Sequence, residues 1–431
     1  LGDANAMTFI RFYDLRALPL TLSLLAAAAC GGTTVDGGKV GGDDTDDSGV
    51  STTDGGGGDD DASNVDASAP DSAVPDSAAP FGAIPLNSCV PTVYTAPITI
   101  GGSQQFQLTI DTGSTSLGVA SSSCTNCGVS PEYTPGASAT NENQTASSQY
   151  GTGSWSGAIY QDSVAGGTVA ATPVKFVGID SQSHFFESIQ CDSTNRSTQG
   201  IIGLGPTSVA LQGTTGYVDA LVANEGMPDV FAIELCDDGG TLWLGGYDSS
   251  ATTAAVEYTP FTTDVVSEYY YTVGLTSLTV NGTTVPVASG QYADTLVDTG
   301  TSVFLLGTTA YSALTSALAS DSSFASIFGG ASFFSGQSCK SVSQTKAELD
   351  AMLPAITLTF ASGITVTTNP TDSYIFEYGA GSWCPALASE TQSENEFPFA
   401  SILGAPMLRS NITVFDRAQK RVGFAPHTAC P

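Results

Sequence analysis

Positive charge is scarce in this chain. Eleven Lys and Arg stand against 42 Asp and Glu, a formal net charge of −31 with an isoelectric point near 4.1. Such a surface repels polyanions, which argues against nucleic acid and anionic membrane faces as partners. It also repels itself at neutral pH. Protonation of its carboxylates eases that repulsion, which suits work in acid, although solvation alone accounts for the same charge. Histidine is nearly missing, with only His184 and His427. A His-based triad is therefore not the default, no metal-spaced His cluster exists, and no Gly-x-Ser-x-Gly elbow stands on a strand–helix turn. No metal and no cofactor are expected. A long apolar run is also wanting. Ala17 to Ala29 has 13 residues, too short to span a membrane and suited to a secretory signal. With Met7 as the true start and Arg11 and Arg16 as its basic flank, residues 1–30 read as an export signal.

Large apolar side chains are almost missing from residues 31–80, where twelve Asp face the single Lys39. Such a stretch cannot bury enough surface to offset its ordering entropy. It reads as an extended, self-repelling tether. Its Asp run lacks the spacing and closing Glu of an EF-hand, so Ca²⁺ is not the expected ligand. Leu25 to Cys30 reads Leu-Ala-Ala-Ala-Ala-Cys, followed by Gly31-Gly32. This resembles a bacterial lipoprotein cleavage box, which implies lipidation of Cys30 as the first mature residue. The alternative is ordinary cleavage after an Ala, with Cys30 discarded. The expected location is exported: a cell-envelope lipoprotein at the outer membrane or cell surface, or a secreted protein. Membrane contact is expected only through Cys30.

From Phe81 the chain turns to short β-rich runs separated by Gly, Pro, Asn and Ser. Examples are Pro97 to Ile100, Gln105 to Ile110, Val174 to Ile179, Thr241 to Leu244, Tyr269 to Val273 and Ile356 to Phe360. Helical stretches are few: Tyr217 to Glu225, closed by Gly226 and Pro228; Thr309 to Ala319; and Gln344 to Met352, stopped by Pro354. The expected class is all-β with a few short helices, in two lobes, 81–260 and 261–431.

The lobes are expected to be related because motifs repeat. Leu108-Thr109-Ile110-Asp111-Thr112-Gly113-Ser114 places an Asp at the end of an apolar strand, before a Gly turn. Leu296-Val297-Asp298-Thr299-Gly300-Thr301-Ser302 does the same. Downstream of each come two apolar residues and a Gly, in Gly200-Ile201-Ile202-Gly203-Leu204-Gly205 and in Ile402-Leu403-Gly404. One Asp-Thr-Gly reads as a turn cap. Two in equivalent places read as a pair of carboxylates facing each other across a pseudo-twofold axis. Two carboxylates in contact cannot both ionise cheaply, so they share a proton and offer an acid and a base at one spot.

The order and spacing of these segments resemble the pepsin-like aspartic endopeptidases over about Leu86 to Pro431. Further matches are Ser148-Gln149-Tyr150-Gly151-Thr152-Gly153-Ser154, Trp243-Leu244-Gly245-Gly246, and the ending Val414-Phe415-Asp416 with Val422-Gly423-Phe424-Ala425-Pro426. The resemblance implies a bilobal fold of two barrel-like lobes and a peptidase that cuts extended polypeptides with Asp111 and Asp298. It implies that Ser114 and Thr301 bond the outer carboxylate oxygens, and that Thr112 and Thr299 brace the opposite loops beside Gly113 and Gly300. Tyr150, Gly151 and Thr152 would form a mobile flap over the substrate. A monomer is expected. A peptide-binding relative without turnover is the alternative.

Two departures accompany the resemblance. The family usually carries a Trp where this chain has Gly118, which puts the flap's hydrogen bond in question; Trp155 is the candidate to fill that space. The segment before the core is acidic rather than basic, so no conventional zymogen is expected. Setting Cys30 aside leaves eight cysteines, consistent with four disulfides in an oxidising compartment. By resemblance the pairs are Cys124–Cys127, Cys339–Cys384 and Cys236–Cys430, which leaves Cys89–Cys191.

Overall fold

The computed structural model describes residues 79–90, 92–151, 153–188, 198–264, 266–379, 381–390, 399–428 and 430. The export signal with Cys30, the tether as far as residue 78, Thr152 and Cys191 lie outside the described residues, as does the Cys89 side chain.

Alternation builds the first barrel. In the strand Gln104–Asp111, Phe106, Leu108 and Ile110 are buried while Gln105 is exposed and Gln107 half-buried. The strand Val93–Ile100 pairs antiparallel with Gln104–Asp111 on one side and with Ser154–Gly166 on the other. Gly200–Gly203, Leu117–Ala120 and Val169–Ser183 complete the circuit between them. Six strands thus close on themselves, and closure removes the exposed edges that invite aggregation. The same sheet continues beyond Gly82–Val90 through Gly239–Leu244, Val230–Cys236, Asn411–Asp416, Arg421–Pro426 and Glu257–Pro260. The last two strands of the chain therefore lie in a sheet made mostly by its first half.

The motif repeat is a structural repeat. Gln104–Asp111 runs parallel to Gly200–Gly203, with Asp111 opposite Gly203. Thr295–Asp298 runs parallel to Ser401–Gly404, with Asp298 opposite Gly404. In each copy a further strand, Leu117–Ala120 or Phe304–Gly307, pairs antiparallel with the Gly-ended strand. It pairs parallel with another, Val169–Ser183 or Leu387–Glu390. The terminal glycines have a steric cause. A Cβ on Gly203 would collide with the backbone of Ser114 and Thr115, and one on Gly404 with the carbonyls of Thr301 and Val303. The loop after each Asp crosses directly over its glycine.

The helices fall near their expected places. Tyr217–Glu225 ends at Gly226, whose φ of 66° lies in the left-handed region that favours glycine. Thr308–Ala319 is the second. Lys346–Met352 starts two residues later than expected, because Thr345 and Glu348 form a reciprocal capping box there. The strand expected over Tyr269 to Val273 shrinks to Thr272–Val273. Tyr271 donates its hydroxyl to the Leu204 carbonyl at 2.8 Å, and Tyr270 turns edge-on to Phe399, so this segment serves the interior rather than a ladder. Disulfides join Cys124 to Cys127, Cys339 to Cys384, and Cys236 to Cys430. The last fastens the end of Val230–Cys236 to the end of the chain. No helix among the described residues is long and apolar enough to cross a membrane.

Candidate active site

Asp111 and Asp298 sit at the ends of their parallel-paired strands, 5% and 7% exposed. The turn after each carboxylate folds its own backbone onto it. Gly113 N donates to Asp111 Oδ1 at 2.9 Å, and Gly300 N to Asp298 Oδ1 at 2.8 Å. The two turns also reach across: Gly113 N lies 3.1 Å from Asp298 Oδ1. Residues 185 positions apart are thus bridged by a single amide. The outer oxygens are held by hydroxyls, Ser114 Oγ donating to Asp111 Oδ2 and Thr301 Oγ1 to Asp298 Oδ2 at 2.6 Å.

Thr112 and Thr299 lock the two turns together. Thr112 Oγ1 donates to the Val297 carbonyl at 2.9 Å and accepts from Thr299 N at 3.0 Å. Thr299 Oγ1 donates to the Ile110 carbonyl at 3.1 Å and accepts from Thr112 N at 3.2 Å. Each hydroxyl both gives and takes, so four backbone groups are satisfied by one symmetric knot. Both threonines are buried. The knot fixes the carboxylates relative to one another without touching their reactive oxygens.

Glycine is required at 113 and 300 by proximity. A Cβ on Gly113 would lie 2.9 Å from the Asp298 carboxyl carbon, and one on Gly300 would collide with Asp111 Oδ1. Gly300→Ala is therefore expected to push the carboxyl groups apart and lower kcat by about 100-fold, the scale of a misplacement near 1 Å. Steady-state kinetics beside an unchanged circular dichroism spectrum check this.

The electrostatics follow from the crowding. Burial pushes the Asp111 ionisation well above the usual carboxylate range, and the neighbouring Asp298 charge pushes it further. The Ser114 hydroxyl and the Gly113 amide pull it partly back. A hydrogen bond between the two carboxyl groups also contributes to the rise.

The hairpin Thr140–Gln149 and Ser154–Gly166 pairs Gln149 with Ser154, which sets Tyr150 just beyond the last rung. Tyr150 N donates to the Gly153 carbonyl at 2.7 Å, which closes the tip, and Gly151 is exposed. The Tyr150 phenol is raised by burial and by the Asp111 charge, against the opposing pull of Ser148, Ser114 and Trp155 around its oxygen. Tyr150, Ser114 and Asp111 thus converge. Thr152 lies outside the described residues.

One site residue escaped the sequence reading. Tyr270 has its phenol raised by burial and then by both Asp111 and Asp298. Three consecutive tyrosines at 269–271 were the available signal, but their spacing does not tell which one faces the carboxylates. Among the described residues no group of three or more His, Cys, Asp or Glu is placed to hold a metal ion.

Comparison with known proteins follows the same outline. A family model described as eukaryotic aspartyl protease matches residues 93–427. Pepsin A of Sus scrofa is 31% identical over 356 residues, covering 79% of this chain and 83% of the relative. Pepsin A of Callithrix jacchus is 30% identical over 345 residues, covering 77% and 80%. An aspartic protease of Phaffia rhodozyma is 29% identical over 343 residues, covering 78% and 76%.

Proposed function

Since the chain belongs to the eukaryotic aspartyl protease family and is an aspartic-type peptidase, we propose that Asp111 and Asp298 are its catalytic pair and that it cleaves extended polypeptides in acid. The observation that carries this reading is the Gly113 amide, within hydrogen-bonding reach of the inner oxygens of both carboxyl groups. Two carboxyls held that close share one proton, an arrangement for which aspartic proteases are themselves the standard illustration.

The chemistry needs only that shared proton and a water molecule. The ionised carboxylate takes a proton from the water as its oxygen attacks the peptide carbonyl carbon. The protonated carboxyl donates to the carbonyl oxygen, giving a neutral tetrahedral diol. Collapse of the diol returns a proton to the pair and delivers one to the departing nitrogen. Ser114 and Thr301 aim the outer oxygens, and the Thr112–Thr299 knot keeps the pair in register. Tyr150 and the adjoining glycines close over the bound chain and exclude bulk water. Tyr270 stands within electrostatic reach of both carboxyl groups.

Asp111 is raised, so its proton is held above the usual carboxylate range and lost as pH climbs through the raised value. Activity is expected to be greatest in acid and to fall as pH rises. The sign for stability is the same. A folded-state value above the unfolded one means the folded protein binds more protons between the two values, so this group's contribution declines as pH rises across that window. Hydrolysis of an unfolded protein substrate, followed from pH 3 to pH 7 with and without pepstatin, tests the reading. Pepstatin-sensitive turnover with a falling limb above the usual carboxylate range supports it. Pepstatin binding without turnover supports a peptide-binding protein instead, and turnover indifferent to pepstatin overturns the assignment.

The export signal of 1–30, lipidation at Cys30, the tether of 31–80 and lobes of 81–260 and 261–431 complete the proposal. Together they describe a monomeric, exported protease held off a cell-envelope surface, or released from it. Mass spectrometry of the mature N-terminus distinguishes the two.

A further inference from the structure

A single buried tyrosine reaches the backbone beside both carboxylates. Tyr271 stands immediately before the strand Thr272–Val273, which pairs antiparallel with Thr295–Asp298 and sets Thr272 opposite Leu296. One rung further on, the Val297 amide donates to the Tyr271 carbonyl at 3.0 Å. The phenol of the same residue donates to the Leu204 carbonyl at 2.8 Å, and the Leu204 amide donates to the Asp111 carbonyl at 2.8 Å. One residue thus links the strand that carries Asp298 to the backbone of Asp111. This strap is separate from the Thr112–Thr299 knot. The knot takes the Val297 carbonyl, and the strap takes the Val297 amide.

The ring that joins the two ends is tightly seated. Tyr271 is 1% exposed, and its ring centre lies 5.0 Å from that of Phe415, 5.5 Å from that of Phe261 and 6.1 Å from that of Phe231. Phe231 and Phe415 face each other on paired strands of the long sheet. Close packing of this kind leaves the ring little room to move. Burial raises the phenol, the Arg417 charge opposes the rise, and Asp229 and Asp219 add to it. The hydroxyl therefore keeps its proton in acid and stays a donor wherever the carboxyl pair works. Leu204 is buried too, so without the phenol its carbonyl would lose a partner away from water.

We propose that Tyr271 is a positioning residue for the carboxyl pair: its carbonyl holds the strand of Asp298, its phenol holds the backbone of Asp111 through Leu204, and its seated ring sets the spacing between them. The knot aligns the two turns, and the strap aligns the strands behind them. Without the phenol, the Asp111 side loses its fixed reference to the Asp298 strand, and the carboxyl groups sample wider separations. Wider separation weakens the repulsion that raises Asp111, so its proton is lost at lower pH. Tyr271 acts through these strands and not on the reacting atoms.

The inference rests on the proposed peptidase reading, and the experiment separates the two. Tyr271→Phe keeps the ring and removes the hydroxyl. It is compared with the unaltered protein and with Tyr94→Phe in hydrolysis of a peptide substrate from pH 3 to pH 7. Tyr94 is a control of the same kind, a buried phenol that donates to the Cys236 carbonyl at 2.9 Å. Tyr271→Phe is expected to lower kcat by about threefold to thirtyfold, less than the 100-fold scale of a misplacement near 1 Å, with KM altered less than about twofold. Stabilisation lost only in the transition state leaves kcat and kcat/KM equally reduced. The falling limb of activity is expected to move to lower pH by about 0.3–1 pH unit, a fraction of what a close like charge contributes. Tyr94→Phe is expected to melt at a lower temperature yet keep the kcat and pH profile of the unaltered protein. Full kcat in Tyr271→Phe, a loss with an unmoved limb, or an equal loss in Tyr94→Phe overturns the inference and leaves the peptidase reading standing. Absence of pepstatin-sensitive turnover in the unaltered protein overturns that reading, and the inference with it. Should Tyr271→Phe fail to fold, Phe261→Leu loosens the seat of the ring from its half-buried side. It is expected to lower kcat by at least about twofold and move the limb the same way. An unchanged kcat or limb there would equally overturn the inference.

Discussion

Asp298→Asn is expected to lower kcat by about 10³-fold, the scale of positioned acid–base chemistry, with little change in fold. The amide retains an oxygen to accept from Gly113 and Gly300, which now donate to Asp298 Oδ1 at 3.1 and 2.8 Å. It cannot carry the shared proton or become an anion. Removal of the neighbouring charge also removes one cause of the raised Asp111 ionisation, so that group should titrate lower in the variant. Burial remains its largest cause, so the fall is partial. The measurement is kcat/KM for a peptide substrate together with the pH dependence of stability. A variant that keeps a tenth of the activity would remove Asp298 from the mechanism.

Arg409→Ala is expected to destabilise the protein by about 3–5 kcal/mol, the cost of stripping a buried charge from its partners. Arg409 is 2% exposed. Its Nη2 pairs with Asp237 and lies 3.3 Å from Asp372, and its Nη1 donates to the Thr371 carbonyl at 3.2 Å. Lys346 closes the square, 2.7 Å from Asp237 and 2.9 Å from Asp372. Tyr94, whose phenol burial pushes up to about 12, packs against the same guanidinium and donates to the Cys236 carbonyl at 2.9 Å. The cluster ties the helices at Lys346–Met352 and Pro370–Ser373 to the long sheet beside the Cys236–Cys430 disulfide. Asp237→Asn should cost less than about 1 kcal/mol, because that partner is half in water and screened. Thermal unfolding of both variants checks the contrast. Equal, small shifts would mean the cluster is ornamental to stability.

The scarcity of basic residues acquires a meaning here. Among the described residues Lys175, Lys346, Arg409, Arg417 and Arg421 all form ion pairs. Arg417 pairs with Asp219 and Asp229, and Arg421 pairs with Asp416 while lying 3.8 Å over the Tyr258 ring. Several of these pairs, at Lys175, Lys346, Arg409 and Arg417, sit at joints between segments far apart in sequence, while Lys340 and Lys420 are exposed. Carboxylates outnumber cations in the chain, and their protonation in acid relieves the repulsion without touching the guanidinium charges.

Much of the site was legible because its determinants are local. An apolar strand, an Asp and a Gly turn specify where a carboxylate stands, and the duplicate specifies its partner. The glycines of Ile-Ile-Gly and Ile-Leu-Gly were visible as a repeat, though their cause, a loop crossing within contact of the backbone, was not. Helix limits were legible to within two residues for a similar reason, since caps such as Thr345 and Gly226 act on neighbouring amides.

What the amino-acid order determined by itself was therefore the inventory: strands by alternation, turns by glycine, charge by composition, and the twofold repetition of one acidic motif. Tertiary structure alone decided which of three consecutive tyrosines feels the carboxylates, that a side chain at Gly118 would crowd Trp155 and Ile179, and that Arg409 locks the second half to the long sheet. The physical reason is distance along the chain. Alternation and capping act over a few residues, whereas these contacts join segments tens to hundreds of residues apart, and only the closed barrel and its extended sheet bring them within reach.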